Sequence, residues 1–162
     1  MSQQQTIVAI LKRGRSMLAR HLADFSDADM FVRPAPTANH VSYQLAHLLR
    51  TTVGIVKTFN PGAAITLPAK VEGDAKAPPT SDDPAAFPGK AELLAAVEAL
   101  LDAVIAGVET MSDADFDKPS PDHFQGFAPT LGQLALMPAL HQTMHIGQIQ
   151  VIRRVLGKPV LF

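Results

Sequence analysis

The apolar positions of the first segment fall at Ile7, Leu11, Gly14, Leu18, Leu22 and Phe25, in steps of 4, 3, 4, 4 and 3. That spacing is one face of an α-helix. A later segment repeats the same steps at Leu93, Val97, Leu100, Val104, Val108 and Met111, widened by Leu94, Leu101 and Ile105. Each stripe runs into the same tetrapeptide, Ser26-Asp27-Ala28-Asp29 and Ser112-Asp113-Ala114-Asp115. A pair of prolines follows each copy, Pro34 and Pro36, then Pro119 and Pro121. Beyond them come Gln44-Leu45-Ala46 and Gln133-Leu134-Ala135, so the two halves match at a displacement of 85 to 89 residues. The pattern predicts a helical hairpin present twice, with helices near 3–24, 40–58, 90–110 and 130–156.

Residues Asn60 to Gly89 separate the hairpins and hold six of the thirteen prolines, which argues against helix there. A connection of that size can run the length of a twenty-residue helix, about 30 Å. The expectation is therefore an all-α, four-helix bundle with one long crossover between helices 2 and 3, which lets those two lie parallel. The fourth helix carries its own punctuation. Thr130 and Gln133 form a Thr-x-x-Gln capping box, Gly157 and Pro159 mark the stop, and Pro138 inside predicts a kink.

Composition agrees with the helical reading. The chain has 24 Ala and 17 Leu, no Trp and a single Tyr. Its 162 residues fit one domain, 1–162, built on one core. Fourteen Lys+Arg stand against fifteen Asp+Glu, a net charge of -1 that argues against nucleic-acid and membrane-surface partners. No Cys is present, which excludes disulfides, Cys-ligated metal and a Cys nucleophile. No apolar run spans a bilayer, and Met1-Ser2-Gln3-Gln4-Gln5 lacks a basic n-region, so the expected location is cytoplasmic.

The candidate chemistry lies in the six histidines. His141 and His145 are four apart on the face of the last helix that also holds Leu134, Pro138, Ile149 and Ile152. Two imidazoles buried side by side need partners for their nitrogens, and a divalent metal supplies one to both. His47, set among Leu45, Ala46 and Leu48, is the third candidate; the other half of the repeat has Leu136 there. The alternative is three histidines that only hydrogen-bond to one another. Gln142 stands where a His-Glu-x-x-His protease carries its base, so that class is excluded. His21 suits the end of the first helix and His40 the surface or cap of the second. His123 sits in a loop positioned to cover one end of the bundle.

The run His141-Gln142-Thr143-Met144-His145-Ile146-Gly147-Gln148-Ile149, ending in Leu156-Gly157-Lys158-Pro159, resembles the last helix of the DinB-like (YfiT-like) superfamily. Gln44-Leu45-Ala46-His47-Leu48 is similar to that superfamily's second helix. The resemblance implies a four-helix bundle with a long crossover and a divalent metal held by His47, His141 and His145. It also implies a homodimer. Members of known chemistry include mycothiol-dependent maleylpyruvate isomerase and bacillithiol transferases.

On this reading the protein is a metal-dependent enzyme of thiol S-transferase or hydrolase type, acting on a small molecule. The alternative is a non-catalytic, stress-associated metal- or small-molecule-binding protein. Imidazole ligands suit Zn or Ni, with Fe or Mn also allowed. A low-molecular-weight thiol would have to come from outside, because the chain has no Cys. Tyr43, Gln44 and Gln148 are the candidates for supporting the ligands, and no carboxylate is placed as a general base.

Overall fold

The computed structural model describes residues 1–71 and 81–161. Four long helices account for most of it: α1 (Gln3–Leu22), α2 (Val41–Phe59), α3 (Lys90–Glu109) and α4 (Leu131–Val155). Short 3-10 turns at Asp29–Phe31, Pro84–Ala86, Asp113–Asp117 and Asp122–Phe124 fill the connections. Among the described residues there is no strand, only an isolated bridge between Pro119 and Thr130. No helix among them is long and apolar enough to cross a membrane.

Three of the four helices start at a side-chain cap. Ser2 and Gln5 cap α1 reciprocally, and Thr130 and Gln133 do the same for α4. His40 caps α2, its ring Nδ1 accepting from the Tyr43 amide at 3.1 Å. It is fully buried, against the surface position that sequence allowed, because Phe31 and Phe87 pack on its ring. At the far end of α4, Gly157 adopts φ 67°. The amide of Lys158 then reaches the carbonyl of Arg153 at 2.8 Å, closing a Schellman motif. Pro138 lies inside α4, which continues through it.

Side-chain contacts set the helix directions. Gln4, at the start of α1, donates to the carbonyls of Glu109 and Met111 beyond the end of α3. Lys90, at the start of α3, donates to the carbonyls of Ala23 and Phe25 beyond the end of α1. α1 and α3 are therefore antiparallel. The C-terminal ends of α2 and α3 meet where Asn60 donates to the Ala103 carbonyl and where Gly107 abuts Phe59. A Cβ at Gly107 would lie 2.3 Å from the Phe59 carbonyl oxygen, so only glycine permits that approach. Phe87, just before α3, packs on His40 at the start of α2. α2 and α3 thus run parallel, as the long crossover predicts, and the bundle is up-down-down-up.

The internal repeat is physical. Gln4 and Lys90 occupy equivalent places 86 residues apart, and so do their acceptors Ala23 and Glu109, and Phe25 and Met111. The two Ser-Asp-Ala-Asp segments have the same spacing and fold alike. In each, the Ser amide donates to the Asp carboxylate at 2.8 Å. The core follows the stripes: Ile7, Leu11, Leu18 and Leu22 of α1 are buried with Leu93, Val97, Leu100 and Val104 of α3. Gly14 belongs to the α1 stripe because a Cβ there would meet Gln142 and Ala139 of α4 at 3.1 and 3.5 Å.

Of the crossover, residues 72–80 lie outside the described residues. The rest is fastened to the bundle: Val71 is fully buried, and Arg33 binds Asp82 at 2.6 Å. The chain after α4 folds back on its own bundle. Arg153, 1% exposed, holds Asp24 through both terminal nitrogens and donates to the carbonyls of His21 and Pro159. Lys158 pairs with Asp29 at 3.2 Å, and Gln150 donates to the Leu161 carbonyl. These contacts hold the tail as far as Leu161, while the Val160 side chain stays exposed. Phe162 lies outside the described residues.

Candidate metal centre

α2 and α4 are antiparallel neighbours, and where they cross, three imidazoles converge. His47 Nε2 lies 3.1 Å from His141 Nε2, which lies 3.2 Å from His145 Nε2. The three sequence candidates are thus brought together. His145 is buried, and His47 and His141 are half-buried, so the cluster opens on the side of the latter two. Among the described residues no carboxylate joins the group.

The outward nitrogens decide the tautomers. His145 Nδ1 is 3.1 Å from the side-chain oxygen of Gln44, a pure acceptor, so it carries the proton. The Thr51 hydroxyl donates to the carbonyls of His47 and Leu48 at 2.9 and 3.1 Å. Its lone pair is left to accept from His141 Nδ1 at 3.4 Å. His141 and His145 therefore present bare lone pairs to the centre. One proton on His47 is the most the three facing nitrogens could share, and it cannot satisfy both partners well. A cation satisfies all three. The two pairs that His141 makes, 3.1 and 3.2 Å apart, suit bonds of about 2.0–2.1 Å meeting at about 100°, and the ligand atoms of all three histidines lie within 4.8 Å of one another. The residues fit a divalent ion.

Electrostatics point the same way. Burial first, then the neighbouring His141 and His47, pushes His145 down to about 4, although Gln148 opposes this by hydrogen bonding. Burial, then His47, also lowers His141. Both rings are neutral, ligand-competent bases at physiological pH.

A family model described as the DinB superfamily matches residues 10–149. The chain belongs to the DinB superfamily. A solved crystal structure of a conserved protein from Enterococcus faecalis shares its fold, with a TM-score of 0.68 and 18% sequence identity. The alignment covers 98% of this chain and 99% of that one. A search of curated proteins finds no match.

In this DinB superfamily chain the supporting residues differ in part from the sequence reading. Gln44 is placed beside His47 by its spacing, yet its side chain serves His145 across the helix interface. Its own amide donates to the Asn39 carbonyl at 2.9 Å, which fixes its orientation. Tyr43 stacks on His47, with ring centroids 6.3 Å apart and planes 14° apart, and Arg50 lies over the Tyr43 ring. Thr51 has no signal in the sequence beyond standing one turn after His47, and only the crossing of α2 and α4 gives it a role.

The remaining histidines stay outside the cluster. His21 is buried at the end of α1 with Nδ1 on the Met17 carbonyl at 2.7 Å, a hydrogen-bonded core residue. His123 is exposed and packs on Phe124. From its loop it is Phe124 and Phe127, not His123, that line the pocket containing His141. Gln142 is buried against Gly14 of α1, turned toward the bundle interface.

Proposed function

We propose that His47, His141 and His145 hold a divalent metal ion and that the protein is a metal-dependent enzyme of thiol-transfer or hydrolytic type. The observation that carries this reading is the meeting of three Nε2 atoms at 3.1 and 3.2 Å, two of them with their outer nitrogens already satisfied. An ion bound there would act as a Lewis acid, lowering the pKa of a coordinated thiol or water toward neutrality.

The chain's own residues do the positioning. Gln44 holds the His145 proton on Nδ1 and so keeps Nε2 free. Thr51 does the same, more weakly, for His141, while Tyr43 fixes the plane of His47. Such outer contacts typically govern affinity by 10–100-fold. With no Cys in the sequence, any thiolate must come from a separate small molecule.

A purely structural ion is the second reading. Structural sites close with four protein ligands, whereas only three side chains converge here among the described residues, which favours chemistry. Metal analysis of the untagged protein and of its His→Ala variants tests the assignment. We further propose a homodimer, supported by the exposed Val151 and Val155, one turn apart on α4, and by the exposed Val160 of the returning tail.

A further inference from the structure

We propose that the apolar pocket beside His141 receives an uncharged aromatic or branched aliphatic group of the molecule on which the three-histidine site acts. This rests on the reading of that site given above.

The pocket, about 280 Å³, lies between α2, α4 and the turn at 122–127. That is roughly twice the ~150 Å³ cavity that accepts a benzene ring, and near the lower end of small-molecule sites. His141 forms part of the wall, so an occupant lies directly against a ligand of the proposed centre. Thr51, which bonds His141, lines it as well. The rest is Ile55, Phe124, Phe127, Met137, Leu140 and neighbours, with no Lys, Arg, Asp or Glu among its lining residues. A carboxylate or ammonium would be desolvated there with no opposite charge among the lining residues. An uncharged ring gains from the same wall.

The pocket is built rather than incidental. Gly54 lets the Phe124 ring lie against α2, since a Cβ there would stand 3.2 Å from Phe124 Cζ. The turn is fixed by hydrogen bonds from the Phe127 and Ala128 amides to the Phe124 carbonyl, at 3.1 and 2.8 Å. Phe127 remains 58% exposed, Leu140 54% and Met144 63%. Among the described residues nothing else covers these large apolar side chains at the mouth, and thioethers adapt readily to differing ligand shapes.

The test uses the metal-free full chain and two matched probes, benzyl alcohol and benzoate, followed by NMR of the methyl groups. Benzyl alcohol should shift the methyls of Met137, Met144, Ile55 and Leu140 saturably, and benzoate should bind at least tenfold more weakly. Phe127→Ala should weaken benzyl alcohol about fivefold or more, with Phe127→Leu recovering part of the loss. Leu140→Trp, at an exposed position of the pocket mouth, should block the probe. Equal binding of both probes, or shifts scattered away from these methyls, overturns the proposal. Zinc uptake measured separately distinguishes the two readings. Protein that takes up zinc but not benzyl alcohol refutes the pocket alone, and protein that binds benzyl alcohol but no zinc refutes the metal site while supporting the pocket.

Discussion

The side-chain oxygen of Gln44 accepts the Nδ1 proton of His145 at 3.1 Å, and both groups are buried. One contact between α2 and α4 therefore sets which nitrogen of His145 faces the centre. Gln44→Leu should lower zinc affinity 10–100-fold. It should also cost about 1–3 kcal/mol of stability by leaving the His145 N–H and the Asn39 carbonyl unpaired. Competition with a chromogenic chelator and urea unfolding check the two parts.

Acid should destabilise the metal-free protein over a definite window. His145 is lowered to about 4, and His141 and His40 are lowered too, burial being the main cause for each. Unfolded histidine titrates near 6.5, so between the two values the unfolded chain binds more protons. This stabilisation is complete above about pH 6.5 and is lost as pH falls through the folded values. For His145 it amounts to about 3 kcal/mol. Asp24 and Asp29 are lowered from 3.8 and act below this window. Melting temperatures of chelated protein should fall between pH 6.5 and 4, less steeply for His145→Gln, and a flat profile in the native chain would contradict the burial argument.

Two glycines in helices should respond oppositely to alanine. At Gly107 the added methyl meets backbone, 2.3 Å from the Phe59 oxygen, so Gly107→Ala should cost about 2 kcal/mol or more. At Gly147 nothing lies within 4 Å, so Gly147→Ala should gain about 0.5–1 kcal/mol from helix propensity. Urea denaturation midpoints give both signs.

The helices were legible because periodicity and caps are local. Predicted spans of 3–24, 40–58, 90–110 and 130–156 compare with 3–22, 41–59, 90–109 and 131–155. The repeat was legible because both halves bury the same stripe. The convergence of His47 with His141 and His145 was readable because all three sit among apolar neighbours. Partners set by the crossing of two helices were not. Spacing ties Gln44 to His47, but tertiary packing gives it to His145, and no pattern along the chain marks Thr51. His40 caps α2, one of the two positions its place in the sequence allows, and its burial there depends on Phe31 and Phe87, which local spacing does not reveal.

The returning tail makes association separable from tail packing. Truncation after Gly157 removes the Lys158–Asp29 pair and the Pro159 and Leu161 acceptors, and should lower the melting temperature by a few degrees. Val151→Lys, at an exposed position, should leave stability within about 0.5 kcal/mol. In light scattering it should shift the proposed dimer toward monomer. A native chain that is monomeric at micromolar concentration would remove the dimer from the account.

The central claim is met most directly by elemental analysis of the untagged protein and its variants after equal exposure to zinc. The native chain should carry close to one ion per chain. His47→Ala, His141→Ala and His145→Ala should each lose most of it, and His21→Ala should retain it. Stoichiometric metal in all three cluster variants, or none in the native chain, would contradict the three-histidine centre.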